Sequence, residues 1–332
     1  MVIFVTGAAG FIGSHLSERL SARGDEVIGF DNFDPFYPRA EKERNLTKLR
    51  AEPKFTFVEG DIRDADALER VFAERHPEVV VHLAALAGVR PSLAEPARFA
   101  DINVTGTQRV FDASRGHGVA RFVFGSSSSV YGRDSQPPFK ESDPCLTPVS
   151  PYAATKRANE LMLFTAQHLY AVDITCLRFF TVFGPRQRPD LAIHKFARLM
   201  AAAKPIPMFG DGSTSRDYTY IDDIIQGVSA CLTYEGQLCD VFNLGESQTT
   251  TLSELIAHIE KALGKQAVIN VLPEQPGDVP LTYADIGKAR ALLGYDPHTQ
   301  IAEGIPRFVE WYRSGEVGSE RVGSQQSGAA NR

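Results

Sequence analysis

Between an apolar run at Val2–Thr6 and an amphipathic stretch beginning at Phe11, the chain reads Thr6-Gly7-Ala8-Ala9-Gly10-Phe11-Ile12-Gly13. Few segments restrict a fold as much. Gly7 permits a tight turn straight off a strand, Gly10 lets backbone approach a pyrophosphate, and Gly13 lets a helix pack closely on the strand. The helix start then offers unpaired N–H groups and the positive end of its dipole to an anion. The spacing is G-x-x-G-x-x-G rather than the G-x-G-x-x-G of many dehydrogenases. Glycine-rich turns are common, so it is the placement between strand and helix that makes this one a dinucleotide site.

The rest of the first half agrees with that placement. Apolar runs at Val2–Thr6, Val27–Phe30, Phe55–Glu59, Val79–Leu83, Arg121–Gly125 and Ile174–Phe179 alternate with helical stretches such as Phe11–Ala22 and Asp66–Arg75. Most of these runs are continuously hydrophobic, as expected of parallel strands covered on both faces. The expectation is an α/β fold, a Rossmann-type doubly wound parallel sheet over residues 1–180. Past Phe180 proline and glycine thicken, at Gly184, Pro185, Pro189, Pro205, Pro207, Gly210 and Gly212, and the alternation breaks up. Residues 181–313 are expected to form mainly a smaller α/β substrate lobe, with one segment free to return to the sheet. The segment Ser314–Arg332, poor in apolar residues, is expected to be disordered.

Composition narrows the function. A net charge of -6 argues against nucleic acid as the main partner, while leaving room for a local arginine cluster to hold an anionic small molecule. No apolar run approaches the roughly 18 residues that span a membrane, and the N-terminus lacks a signal-peptide pattern. Cys145, Cys176, Cys231 and Cys239 form no CxxC and no grouping with histidine, so no metal site is expected. They read as buried free thiols of a cytoplasmic protein.

Two constellations carry chemistry. Asp31 ends the second strand, about 20 residues past the glycine run, where a carboxylate accepts hydrogen bonds from ribose hydroxyls and repels a 2′-phosphate. NAD is therefore the expected cofactor, with Asn32 beside Asp31 and Asp61-Ile62 placed to meet the adenine. Farther on, Ser150-Pro151-Tyr152-Ala153-Ala154-Thr155-Lys156 reads as a helix start, with Ser150 as cap and Pro151 in the first turn. Tyr152 and Lys156 share one helical face. Phenols titrate near 10; a neighbouring ammonium and a positive nicotinamide ring are both expected to pull Tyr152 towards neutrality and make it a general base. The run Ser126-Ser127-Ser128-Ser129-Val130-Tyr131-Gly132 follows the fifth strand at the sheet edge where ligands sit, so a serine hydroxyl donating to substrate is expected.

TGAAGFIG, the segment His82–Ala85, the SSSVYG run, YAATK and Arg216–Asp223 together resemble the extended short-chain dehydrogenase/reductase family over about residues 1 to 312. The segment Phe179–Ala192 is similar to that of the family's uronate 4-epimerases. The resemblance implies NAD-dependent inversion of C4 of a UDP-hexuronate through a 4-keto intermediate. It gives Ser127 the role of catalytic hydroxyl, Tyr152 that of base, and Lys156 that of binding the nicotinamide ribose. Leu83, Ala84, Ala85 and Phe179 would line the NAD pocket. Phe209 would meet uracil and Arg216 the diphosphate. Thr181, Arg188, Ser127 and Ser128 would lie near the sugar and its carboxylate, with Asp278 a further substrate contact. Gln275 departs from the pattern, standing where several related epimerases carry arginine.

Family members that dehydrate or decarboxylate carry carboxyls where this chain has Ser128 and Ser129, so the resemblance disfavours both reactions. A neutral UDP-hexose epimerase stays open as the alternative, since it has no need of a cation for C6. A nucleotide-binding sensor would keep the glycine run but has no use for Tyr152 and Lys156. The helix from Pro151 carries Leu161, Met162, Leu163, Phe164 and Leu169, more apolar surface than one buried face requires. The resemblance implies a homodimer through this helix and the one around Ala97–Arg115, a four-helix interface.

Overall fold

The computed structural model describes residues 1–236, 238–273 and 279–315. Of the segment expected to be disordered, residues 316–332 lie outside the described residues. Strand β1 (Val2–Thr6), helix α1 (Phe11–Arg23), β2 (Glu26–Asp31), α2 (Arg39–Asn45), β3 (Phe55–Glu59), α3 (Ala65–Arg75) and β4 (Val79–His82) come first. Short helices α4 (Val89–Ala94) and α5 (Pro96–Ala100) lead through a π-helical turn at Asp101–Thr105 into α6 (Gly106–Gly116). Then β5 (Arg121–Ser127), α7 (Pro151–Tyr170) and β6 (Asp173–Phe179) complete the alternation.

The second half carries β7 (Thr181–Phe183), α8 (Ala192–Ala201), β8 (Ile206–Phe209), β9 (Ser215–Arg216), β10 (Tyr218–Tyr220) and α9 (Ile221–Cys231). After them come β11 (Cys239–Leu244), β12 (Thr250–Thr251), α10 (Leu252–Leu263), β13 (Ile269–Leu272), α11 (Gly287–Leu293) and α12 (Ile301–Arg313). Strand β11 returns to the main sheet and pairs in parallel with β6. Across that seven-stranded sheet the order is β11–β6–β5–β4–β1–β2–β3, with every pairing parallel. The other strands pair in twos, β7 with β10, β9 with β12 and β8 with β13.

The continuous hydrophobic runs are explained by burial on both faces. Successive side chains of a strand point to opposite sides: Ile3 and Val5 enter one core while Phe4 enters the other, meeting Phe72 edge-on at 4.9 Å. The first core continues into the second half of the chain through Phe196, Ile259 and Phe308. That shared core seats the lobe against the sheet. Helix ends follow local chemistry. Thr251 and Glu254 form a reciprocal capping box on α10, and Ser150 accepts the Ala153 amide at the start of α7.

Strand β1 lies between β2 and β4, so the chain goes outward one way and then crosses back past its start. Such a switch point opens a crevice at the carboxyl ends of the two diverging strands. The loops that leave β1 and β4, beginning at Gly7 and Leu83, form its walls.

Candidate active site

A cavity of about 480 Å³ occupies that crevice, within the range of small-molecule and cofactor sites. Gly7, Gly10, Phe11, Ile12 and Gly13 line its floor. Gly7 has φ +72°, and a Cβ there would sit 2.9 Å from the Ala84 nitrogen. At Gly13 a Cβ would lie 2.1 Å from the Gly7 carbonyl oxygen, so the helix reaches the loop only because the side chain is missing. No side chain caps α1 at Gly10. The amides of its first turn are left for a ligand, and the glycine cradle suits a pyrophosphate. These observations fit NAD.

Asp31 and Asn32 also line the cavity. The Asp31 carboxylate accepts the Ala9 amide (3.2 Å) and the Phe33 amide (2.8 Å), with the Lys42 ammonium 3.6 Å away. Burial raises its pKa, while Lys42 and the two amides favour the ionised form. Lys42 and Tyr37 are cavity residues that sequence reasoning missed. Nothing in the segment between Asn32 and Asn45 signals that its short helix folds back over the strand end. Ile62 lines the cavity as expected. Asp61 does not, being held by Arg63 and by the Asn32 amide at 2.9 Å, which lowers its pKa to about 2. It orients Asn32 instead of lining the cleft itself.

The catalytic candidates converge on the same cavity. Ser127, Ser128, Ser129, Tyr152, Lys156, Leu83, Ala84, Ala85, Phe179, Thr181 and Arg188 all contribute to its lining. Ser127 and Ser129 share a hydroxyl hydrogen bond of 3.2 Å. Lys156 is buried and donates to the Gly125 carbonyl at 2.6 Å; desolvation lowers its pKa to about 8, with Glu160 opposing.

Tyr152 corrects one expectation. In the bare protein its pKa is raised, because burial penalises the phenolate more than the Ser127 hydroxyl and the Arg188 guanidinium relieve it. The Lys156 ammonium donates to the Gly125 carbonyl, and the cation that relieves the phenolate is Arg188. Desolvation thus outweighs local charge, and a shift towards neutrality requires the positive ring of bound NAD.

Arg188 reaches the cavity with Nε and Nη2 paired to Asp190 (3.0 and 2.7 Å), Nη2 also donating to the Ala87 carbonyl, and its guanidinium 4.9 Å over the Phe36 ring. Arg186 turns away to Glu18. Behind the site Glu160 takes Ser126 Oγ at 2.6 Å and both Arg178 and Arg157.

The nucleotide end is less complete. Phe209, under the Arg90 guanidinium, and Arg216, bonded to the Ser215 and Pro280 carbonyls, do not line this cavity. Asp278 and Gln275 lie outside the described residues. Among the described residues no group of three or more His, Cys, Asp or Glu could hold a metal ion, and no helix is long and apolar enough to cross a membrane. The cysteines are free. Cys145, Cys176 and Cys231 are buried as expected, but Cys239 is only half-buried, at the outer strand β11.

The model of the NAD dependent epimerase/dehydratase family matches residues 3–245. A UDP-glucuronate 4-epimerase of Thermodesulfobacterium geofontis is 42% identical over 308 residues, spanning 92% of this chain and 94% of that protein. Among solved structures, the UDP-glucuronic acid 4-epimerase of Bacillus cereus, in complex with UDP-glucuronic acid and NAD, is similar with a TM-score of 0.89 and 36% identity. That match covers 95% of this chain and 99% of the other. A UDP-glucose 4-epimerase of Thermotoga maritima with UDP-glucose is similar with a TM-score of 0.86 and 33% identity, over 95% and 99% of the two chains.

Proposed function

The chain belongs to the NAD dependent epimerase/dehydratase family, and from that premise we infer that it interconverts UDP-glucuronate and UDP-galacturonate by inverting C4. NAD is the cofactor; when bound, it supplies the acceptor that takes hydride from C4 and later gives it back. The observation that carries the reading is the single cavity that brings Tyr152, Lys156, Ser127 and the glycine cradle together with Arg188.

Tyr152 accepts the proton of the C4 hydroxyl, and Ser127 donates to the same oxygen so that proton and alcohol stay aligned. Lys156 holds the nicotinamide ribose. With C4 oxidised, the 4-keto sugar turns about its diphosphate, presents its other face, and is reduced again as Tyr152 returns the proton. No net redox change results. Ser128 and Thr181, with Arg188, hold the C5 carboxylate out of line with the carbonyl π system and so suppress loss of carbon dioxide. Asp31 and Asn32 take the adenosine ribose, Leu83, Ala84, Ala85 and Phe179 the nicotinamide side, and Ile62 the adenine. In the lobe, Phe209, Arg216 and Asp278 belong to the UDP end.

Residues 1–180 act as the NAD-binding unit and 181–313 mainly as the substrate lobe. We further place the enzyme in the cytoplasm as a homodimer through α7 and the α5–α6 segment. Leu161, Phe164 and Leu169 stand exposed on α7, which supports such an interface.

Incubation of purified protein with UDP-glucuronate and no added NAD, followed by sugar analysis, tests substrate, cofactor retention and carbon dioxide loss together. UDP-galacturonate is the expected product. Turnover of UDP-glucose with none of UDP-glucuronate would move the assignment to a neutral hexose epimerase.

A further inference from the structure

Below the catalytic cavity lies a buried hydrogen-bond chain that runs from the Thr6 hydroxyl through His82 and Thr107 to the Asn103 carbonyl. Thr6, the last residue of β1, accepts the Leu83 and Ala84 amides on its hydroxyl, both at 3.1 Å, the Leu83 N–H being shared with the Thr6 carbonyl at 3.3 Å. A hydroxyl has two lone pairs and one proton. With both lone pairs taken, the Thr6 proton goes to its remaining neighbour, His82 Nδ1, at 2.7 Å. Nδ1 is thus an acceptor, and the imidazole carries its proton on Nε2. That N–H donates to Thr107 Oγ1 at 2.9 Å. Thr107 also accepts Asn159 Nδ2 at 3.2 Å and passes its own proton to the Asn103 carbonyl at 2.5 Å.

The chain ends on the catalytic helix. Asn103 sits in the π-helical turn, a geometry that recurs at functional sites. Its amide nitrogen donates to the Leu86 carbonyl (3.0 Å) and to Thr155 Oγ1 (3.1 Å), and its oxygen accepts the Leu86 amide. Thr155 in turn donates to the Tyr152 carbonyl at 2.8 Å. His82 is 1% exposed, and Asn103 and Asn159 are fully buried.

We propose that His82, held as the neutral Nε2–H tautomer, is a positioning residue that fixes the Leu83–Ala85 wall of the cofactor cavity against the turn of α7 bearing Tyr152. It rests on the reading of α7 as the catalytic helix. The chain is directional: one proton donated at each link, from the loop amides to the Asn103 carbonyl. A second proton on Nδ1 would face an oxygen with no lone pair left, so cationic His82 breaks the link between β1 and β4. Burial, with the Lys156 charge nearby, also disfavours the cation, lowering the pKa to about 3. The groups packed around the ring are Thr6, Thr107 and the rings of Phe122 and Phe124, both about 6.0 Å away, which offer no counterion.

The test uses full-length, NAD-loaded protein. Imidazole ¹⁵N shifts of His82, assigned by comparison with H82Q, should report a neutral Nε2–H ring unchanged between pH 5 and 8. H82F removes both hydrogen bonds of the ring, and T107V removes the far one together with the Thr107 bonds to Asn159 and the Asn103 carbonyl. Each should lower kcat on the folded, NAD-saturated protein by about tenfold or more and speed NAD release, since small misplacements in a site are costly. H82Q, whose amide can accept from Thr6 and donate to Thr107, should recover much of the loss. An Nδ1–H tautomer, titration within that pH range, or T107V with wild-type kcat and wild-type NAD release would overturn the proposal. The ring tautomer and NAD release do not depend on which sugar is turned over. If they behave as expected while UDP-glucuronate is untouched, the substrate assignment falls and the positioning role stands.

Discussion

Glu160→Gln should cost this protein a large part of its stability, and the reason lies behind the serine run. Glu160 is 4% exposed and Arg178 1%. The carboxylate takes Arg178 Nε and Nη2 at 2.9 Å each, Arg157 Nη1 at 3.0 Å and Ser126 Oγ at 2.6 Å. Neutralising it leaves the Arg178 charge buried without its counterion, and breaking a buried pair from one side costs about 3–5 kcal/mol. Folded chains are stable by only about 5–15 kcal/mol. For a large chain each kcal/mol moves the midpoint by about 2–4 °C, so a fall of roughly 6–20 °C is expected in thermal unfolding of the NAD-free protein.

The same pair gives a pH signature. Burial alone would raise the Glu160 pKa, but Arg178, Ser126 and Arg157 lower it overall. A carboxyl lowered in the folded state contributes stability above its unfolded value, near 4.3. That contribution is lost as pH falls through the folded value. Wild type should therefore lose stability more steeply than E160Q below about pH 4. Replacing both partners, as in E160Q/R178M, should regain most of the deficit, because the deeply buried charge is gone and Arg157, partly exposed, keeps the Pro144 carbonyl. An E160Q variant within 1 kcal/mol of wild type, or one with an identical acid limb, would refute the reasoning.

Three further outcomes follow from the site and the surface. Gly13→Ala puts a Cβ 2.1 Å from the Gly7 oxygen, so the loop must shift; purified G13A should hold far less NAD, measured by release on denaturation. Arg188→Ala should weaken UDP-glucuronate binding by about tenfold or more, or yield decarboxylated sugar in product analysis, with UDP binding alone little changed. Phe164→Glu, at a side chain 61% exposed on α7, should shift the protein from dimer to monomer in sedimentation equilibrium without altering its fold.

Most of the sheet is legible from the order of residues because parallel strands buried on both faces leave uninterrupted apolar runs. Phe55–Glu59 and Val2–Thr6 come out at the expected limits for that reason. The cofactor floor is legible because glycines at Gly7 and Gly13 are demanded by backbone contacts that no other residue permits. Lys42 and Tyr37 are not, since their place depends on a short helix folding back over the strand end. The pairing of Asp61 is not legible either: its carboxylate turns to an arginine two residues on, Arg63, which no strand or helix pattern announces. The buried ion pair Glu160–Arg178 joins residues on separate elements, α7 and β6, and no local pattern announces it. Tyr152 shows the limit most clearly. Spacing places Lys156 one turn away, but the direction of its ammonium, towards Gly125, is a matter of tertiary packing.

The most direct measurement is an ultraviolet difference titration of the Tyr152 phenol, wild type minus Y152F, in NAD-free and NAD-loaded protein. Without the dinucleotide the phenol should titrate above its ordinary value, since burial dominates; with NAD bound it should fall towards neutrality. An unchanged high value in the loaded protein would contradict the assignment of Tyr152 as the base.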